Sequence, residues 1–353
     1  METISYEAAL HKAMHDALEK NDNAIILGQG VNDPTAIFGT TKGLNEKFGQ
    51  ERVIDMPIAE EGMTGIALGS ALNGLYPIQT HIRVDFLLVA MNQIVNMVAK
   101  YKYMYGGTFE IPMLIRAVVG RSWGQGPQHS QSLQSLFAHI PGLTVIMPST
   151  AQSVLDSYSY AINHFHSPVI SIEHRFLYDY DFHVLEPKNV EEQKDPFSAN
   201  IVQSGSDVSI VATSYMVEEA QKAAKWVKEH EGISCEIIDL HVVSDVDHSL
   251  IFKSVSKTGK LIIADTGWKP YGVVAEVCRG IVQNPSILER PVIQHGMAFT
   301  PCPTSHVLEN SFYPDMRDLV NSIYTHVYSA NHDKDLPSQE YILRQNKEFK
   351  GPF

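Results

Sequence analysis

Cysteine is scarce in this chain: Cys235, Cys278 and Cys302 are the only three in 353 residues. They are too few and too widely spaced for a disulfide framework, and no C-x-x-C pair offers a metal site. Long apolar runs are missing as well, since no stretch reaches the ~18–20 uninterrupted apolar residues of a membrane-spanning helix. The N-terminal METISYEAALHKAMHDALEKN is polar and charged throughout, unlike a signal peptide. Basic charge is in deficit, with 27 Lys+Arg against 40 Asp+Glu and a formal net charge of −13. Nucleic acid and anionic membrane would both repel such a surface, so neither is expected as a partner. Nucleotide-loop signatures are lacking too. Gly28-Gln29-Gly30 has no third glycine and Pro34 follows too soon for a phosphate-cradling helix, and there is no G-x-x-x-x-G-K. What is present is 44% apolar and only 19% charged residues, enough to bury substantial cores. The composition predicts a soluble, cytoplasmic protein of two domains.

Apolar patterning alternates between strand and helix. Residues 5–20 carry Ala8, Leu10, Met14 and Leu18 at roughly helical spacing behind a capping Ser5. Buried strands are expected at AIILG (24–28), RVIDM (52–56), YPIQTHI (76–82), PMLIRAVVG (112–120), LTVIMP (143–148) and PVISIEH (168–174). Helices are expected over 43–49, 60–74, 151–165 and, as one long buried rod, 85–104. Residues 179–206 are polar and contain two prolines, which marks an interdomain connection. A second alternation follows over 207–283, and the polar tail from 328 onward reads as an extension. The boundaries are therefore 1–178, 179–206, 207–327 and 328–353. The fold class is α/β: a parallel sheet with helices on both faces, then a smaller α/β domain.

Open parallel sheets bind ligands at the carboxyl ends of their strands, so the loops there hold the candidate residues. In PIAEEG (57–62), Glu60 and Glu61 sit where a helix begins. On the residues alone, two acids there complement the helix dipole. Adjacent helical residues point roughly 100° apart, so one acid can turn into a cleft while the other faces solvent or a partner. His129 lies with Ser130 and Gln131 in the glycine-rich GRSWGQGPQHSQS (120–132), where a solvated histidine is the default reading. His139 is expected to pack at a turn, and Phe86 to be core.

Taken together, GLNEKFGQERVIDMPIAEEGMTGIALGSALNGLYPI (43–78), DFLLVAMNQIVNMVAKYKYMYGG (85–107), HSQSLQSLFAHIPGLTVIMPST (129–150), EGISCEIIDL (231–240) and SVSKTGKLIIAD (254–265) resemble the β subunit of the decarboxylase component of 2-oxoacid dehydrogenase complexes. The resemblance covers about residues 3–325. It implies a transketolase-like pyrimidine-binding domain and a transketolase C-terminal-type domain, acting with thiamine diphosphate. It makes Glu60 the glutamate that hydrogen-bonds N1′ of the aminopyrimidine, favouring the tautomer whose 4′-nitrogen takes the thiazolium proton. Ile58 becomes a pyrimidine contact, Phe86 the aromatic stacked on that ring, and His129 the histidine facing the reaction centre. Gln29, on the cofactor side of the first loop, replaces a family acid in the proton network. Further departures are His241 in place of an arginine, and His81 and Arg83 in THIRVDF (80–86).

No G-D-G occurs in the chain. The resemblance thus assigns Mg2+ and the diphosphate to an α-type partner in an α2β2 assembly, with a lipoyl acyltransferase core as acyl acceptor and a small 2-oxoacid as substrate. It also implies K+ near Ala161–His166. Two alternatives stay open here: a stand-alone α2β2 carboligase or non-oxidative decarboxylase, and a catalytically silent β-like assembly or regulatory partner.

Overall fold

The computed structural model describes residues 2–120, 124–185 and 195–345. Residues 121–123 of the glycine-rich loop, 186–194 of the expected connection and 346–353 of the tail lie outside the described residues. The chain divides into two compact units. Of the described residues, one comprises 2–120, 136–185 and 195–197; the other comprises 124–135 and 198–345. No helix among the described residues is long and apolar enough to cross a membrane.

In chain order, the elements up to residue 185 are β1 (Glu2–Ser5), α1 (Tyr6–Lys20), β2 (Ala24–Gly28), α2 (Leu44–Phe48), β3 (Val53–Asp55), α3 (Glu60–Leu72), β4 (Tyr76–His81), α4 (Tyr101–Met104), β5 (Met113–Val119), α5 (Gln134–Ala138), β6 (Thr144–Ile146), α6 (Ala151–Asn163), β7 (Pro168–His174) and β8 (Asp181–Val184). Six strands form one sheet in the order β3-β2-β4-β5-β7-β6, and every pair in it is parallel. β2, β4, β5 and β7 are buried at every position, as strands covered on both faces must be. Ser5 caps α1 as expected, its Oγ accepting from the Ala8 N–H at 3.0 Å. The ribbon of β1 against β8 is antiparallel and went unread in the sequence, because its strands are short and half-exposed.

The long rod expected over 85–104 does not form. A 3₁₀ segment, Val84–Ala90, passes into a π-helical segment, Asn92–Val98, before the single turn of α4. The burial pattern gives the reason. Val84, Leu87 and Ala90 are buried at a spacing of three, the 3₁₀ repeat, whereas Ile94 and Val98 are buried at a wider spacing. A continuous apolar run conceals that change of period.

The second unit contains β9 (Asn200–Gln203), β10 (Val208–Ala212), α7 (Tyr215–Glu231), β11 (Cys235–Asp239), α8 (His248–Thr258), β12 (Leu261–Trp268), α9 (Val273–Ile281), β13 (Ile293–Met297), α10 (His306–Glu309), α11 (Met316–Val327) and α12 (Gln339–Gln345). Its sheet runs β13-β12-β10-β11-β9. All pairs are parallel except β9, which lies antiparallel on β11. Ala220, Ala223 and Ala224 of α7 and Leu319, Val320 and Ile323 of α11 pack over the strands. The tail is partly anchored here, since Ile342 of α12 is buried in the same core and Tyr341 packs edge-on against Trp226.

Candidate active site

The carboxyl ends of β2, β3 and β4 meet at one edge of the first sheet, where Gly28 is in register with both Asp55 and Thr80. A Cβ on Gly28 would stand 2.4 Å from the Thr80 carbonyl oxygen, so the close approach of β2 to β4 requires glycine there. The turn beyond is tied down by two backbone donors: Gly30 N–H to Asp55 Oδ1 at 2.8 Å, and Met56 N–H to Gly28 O at 3.0 Å. These bonds bring Gln29 over the start of α3. Its Nε2 donates to Glu60 Oε1 at 3.1 Å.

Glu60 and Glu61 separate as helical geometry demands. Glu60 is 7% exposed, whereas Glu61 is exposed and accepts from Asn92 Nδ2 at 3.0 Å. Below Glu60 a polar chain runs into the core. Thr64 Oγ1 donates to Glu60 O at 2.8 Å, Gln79 Nε2 donates to Thr64 Oγ1 at 2.8 Å, and the same amide reaches His81 Nε2 at 2.7 Å. An imidazole nitrogen that accepts from an amide belongs to a neutral ring, and burial pushes His81 down to about 4. Thr64 and Gln79 were not singled out in the sequence. Their signal was available, because Thr64 lies one helical turn after Glu60 and Gln79 shares a strand face with His81.

Of the other expected residues, Ile58 is 85% exposed in the loop two positions before Glu60. Phe86 is half-buried in the 3₁₀ segment, against which α3 packs, rather than being core. His129 is half-buried at a bend in the other unit. Its loop is anchored nearby: Gln134 Nε2 donates to both carboxylate oxygens of Asp265, at 2.9 and 3.0 Å, and Ser132 Oγ donates to Gln134 Oε1 at 2.8 Å. These bonds explain why the loop belongs with β12 instead of with residues 1–178. His139 is exposed at its turn.

Arg83 is buried, and its Cζ lies 5.6 Å from the Phe38 ring centroid, with Arg175 Cζ 5.0 Å from the same ring. Burial lowers Arg83 to about 10. His241 is buried just beyond β11 with φ +55°. Among the described residues no group of three or more His, Cys, Asp or Glu side chains could hold a metal ion.

The two buried histidines make stability pH-dependent. His81 and His241 are both pushed down to about 4 by burial, against about 6.5 in the unfolded chain. Above pH 6.5 neither state takes up a proton and their contribution is complete. Below it the unfolded state protonates first, and each histidine removes about 1.4 kcal/mol of stability per pH unit until about pH 4. Denaturant titrations at pH 7.0 and 5.5 are expected to show this loss, and His81→Leu to reduce its slope. Equal slopes in the two proteins would contradict the assignment.

Residues 2–180 match the transketolase pyrimidine-binding domain, and residues 198–319 the transketolase C-terminal domain. The mitochondrial pyruvate dehydrogenase E1 component subunit β of Saccharomyces cerevisiae is 33% identical over 323 residues, covering 91% of this chain and 88% of the yeast protein. The β-1 subunit of Arabidopsis thaliana is 35% identical over 316 residues, 89% of this chain and 86% of that one. The chain belongs to the E1 β-subunit family of 2-oxoacid dehydrogenases. A split-gene transketolase, described as an inactive β4 tetramer, superposes with a TM-score of 0.72 over 93% of this chain and 99% of that one. At 21% identity it speaks for the fold alone. As an E1 β chain, the protein is a subunit of a thiamine-diphosphate-dependent 2-oxoacid dehydrogenase, and neither the carboligase nor the silent-partner reading is favoured. These relatives are named as mitochondrial, so they lend no support to a cytoplasmic location.

Proposed function

We propose that this E1 β subunit activates the cofactor through Glu60 at an interface completed by an α-type subunit, and that the acyl group passes to a lipoyl acceptor. The observation that carries this reading is a buried glutamate at the strand-end edge with one oxygen already held by Gln29. With Oε1 engaged, Oε2 is left to share a proton with a ring nitrogen, and a carboxyl withdrawn from water exchanges that proton with the ligand more readily than with solvent. Exposed Ile58 and half-buried Phe86 offer apolar surface beside it for the pyrimidine ring. Thiamine diphosphate, when bound, supplies the electron sink for loss of CO2 from a 2-oxoacid. His129 is assigned to proton or acyl transfer at the reacting carbon.

The diphosphate and its Mg2+ are assigned to the α-type partner, which carries the G-D-G that this chain lacks. An α2β2 assembly, a lipoyl acyltransferase core and K+ near Ala161–His166 belong to the same reading. Reconstitution tests it. The purified chain alone is expected to retain no thiamine diphosphate after gel filtration, whereas the complex with a G-D-G-bearing partner retains stoichiometric cofactor and reductively acylates a lipoyl domain. Tight cofactor binding by a homodimer of this chain would overturn the split site.

A further inference from the structure

α1 turns two alanines toward α6, and both are nearly buried, Ala13 at 7% and Ala17 at 5% exposure. Small side chains on successive turns leave space between helices held apart by larger residues. A cavity of about 360 Å³ opens there, bounded also by Val184 of β8 and by Leu185. None of Gln29, Ile58, Glu60 and Phe86 lines it. The volume lies at the small end of ligand pockets, large enough for an aliphatic metabolite of a few carbons and too small to enclose a nucleotide.

Its charge is divided between the two helices. On α1, Asp16 Oδ2 receives Lys12 Nζ at 2.9 Å and Lys20 Nζ at 3.1 Å, so two ammonium groups surround one carboxylate and leave this helix face net positive, while Glu2 of β1, opposite Val184 in the ribbon, adds a further acid to the lining. On α6, Asp156 is half-buried, and among the described residues it forms no ion pair. It accepts only a neutral amide donor, Gln152 Nε2, at 2.9 Å. That amide is itself fixed, because Gln152 Oε1 accepts the Leu185 N–H at 2.8 Å. A carboxylate oriented in this way and drawn from water without a cation is incomplete, and burial pushes its pKa up accordingly.

We propose that this cavity binds a small aliphatic zwitterion, an α-amino acid, with its ammonium on Asp156, its carboxylate toward Lys12 and Lys20, and its apolar side chain over Ala13 and Ala17. A simple carboxylic acid would meet Asp156 with like charge, and a simple amine would leave the lysine side unanswered. Only a molecule bearing both charges satisfies both walls.

Isothermal titration calorimetry on the assembled complex tests this with three probes that share one isobutyl group: L-leucine, isopentylamine, which lacks the carboxylate, and 4-methylpentanoate, which lacks the ammonium. Leucine is expected to bind saturably, and each analogue at least about tenfold more weakly, as loss of a charged hydrogen bond implies. Asp156→Asn should weaken leucine by about tenfold or more. Ala17→Phe, which fills the cavity, should abolish binding while circular dichroism stays unchanged. No saturable leucine binding, unchanged affinity in Asp156→Asn, or an analogue that binds as tightly as leucine would each overturn the proposal. The Asp156→Asn and analogue arms decide the matter even where Ala17→Phe does not fold.

Discussion

Glu60→Gln is expected to lower turnover of the assembled enzyme by about 10²–10⁴-fold, the usual worth of a positioned acid or base, while leaving folding and assembly intact. The substitution keeps the volume of the side chain and its capacity to accept from Gln29, but removes the ability to share a proton. Two neighbours provide internal controls. Glu61→Gln should stay within about twofold of wild type, because its carboxylate is exposed and accepts from the amide of Asn92, as a glutamine oxygen also can. Gln29→Ala should fall between them, since it frees Oε1 without removing the carboxylate. Steady-state decarboxylation with an artificial electron acceptor measures all three. Near-normal turnover in Glu60→Gln, or equal losses at Glu60 and Glu61, would remove Glu60 from the mechanism.

Much of this site is legible in the residues themselves. The strand-end position of Gln29 and of the PIAEEG loop followed from apolar runs ending in glycine or proline, and the divergence of Glu60 from Glu61 followed from 100° per residue. What could not be read depended on contacts between distant segments. The 3₁₀-to-π passage through Phe86 was hidden because the residues around it are apolar on nearly every side, so periodicity had nothing to report. The loop bearing His129 joined the second unit through Gln134 and Asp265, 131 positions apart. β9 was missed inside a segment whose polarity marked it as a connection, because an antiparallel edge strand needs little apolar surface. Arg116 and Glu173 were each visible as a lone charge in an otherwise apolar strand, yet nothing local announced that they face one another.

That pair carries the largest expected effect on stability. Arg116 on β5 and Glu173 on β7 are 1% and 0% exposed, with Nε to Oε1 at 2.7 Å and Nη2 to Oε2 at 2.9 Å. Tyr178 donates to Oε2 at 2.5 Å, Tyr158 donates to Oε1, and Tyr158 is also 2.9 Å from Ser171 Oγ. Burial works against the charge on Arg116, but Glu173 more than offsets it and holds the guanidinium protonated. Burial, reinforced by Glu173, keeps both tyrosines neutral and therefore able to donate. A buried bidentate pair adds little over a well-packed apolar pair, yet breaking it strands an uncompensated charge at a cost of about 3–5 kcal/mol. Glu173→Met and Arg116→Met are each expected to destabilise the chain by that amount, a fall in Tm of roughly 5–15 °C. The double substitution Arg116→Met with Glu173→Met should cost clearly less than the two single losses together, because no charge is then left behind. Urea unfolding of the four proteins at pH 7 provides the cycle. Single losses below about 1 kcal/mol, or strict additivity in the double variant, would show that the pair is not coupled as its geometry requires.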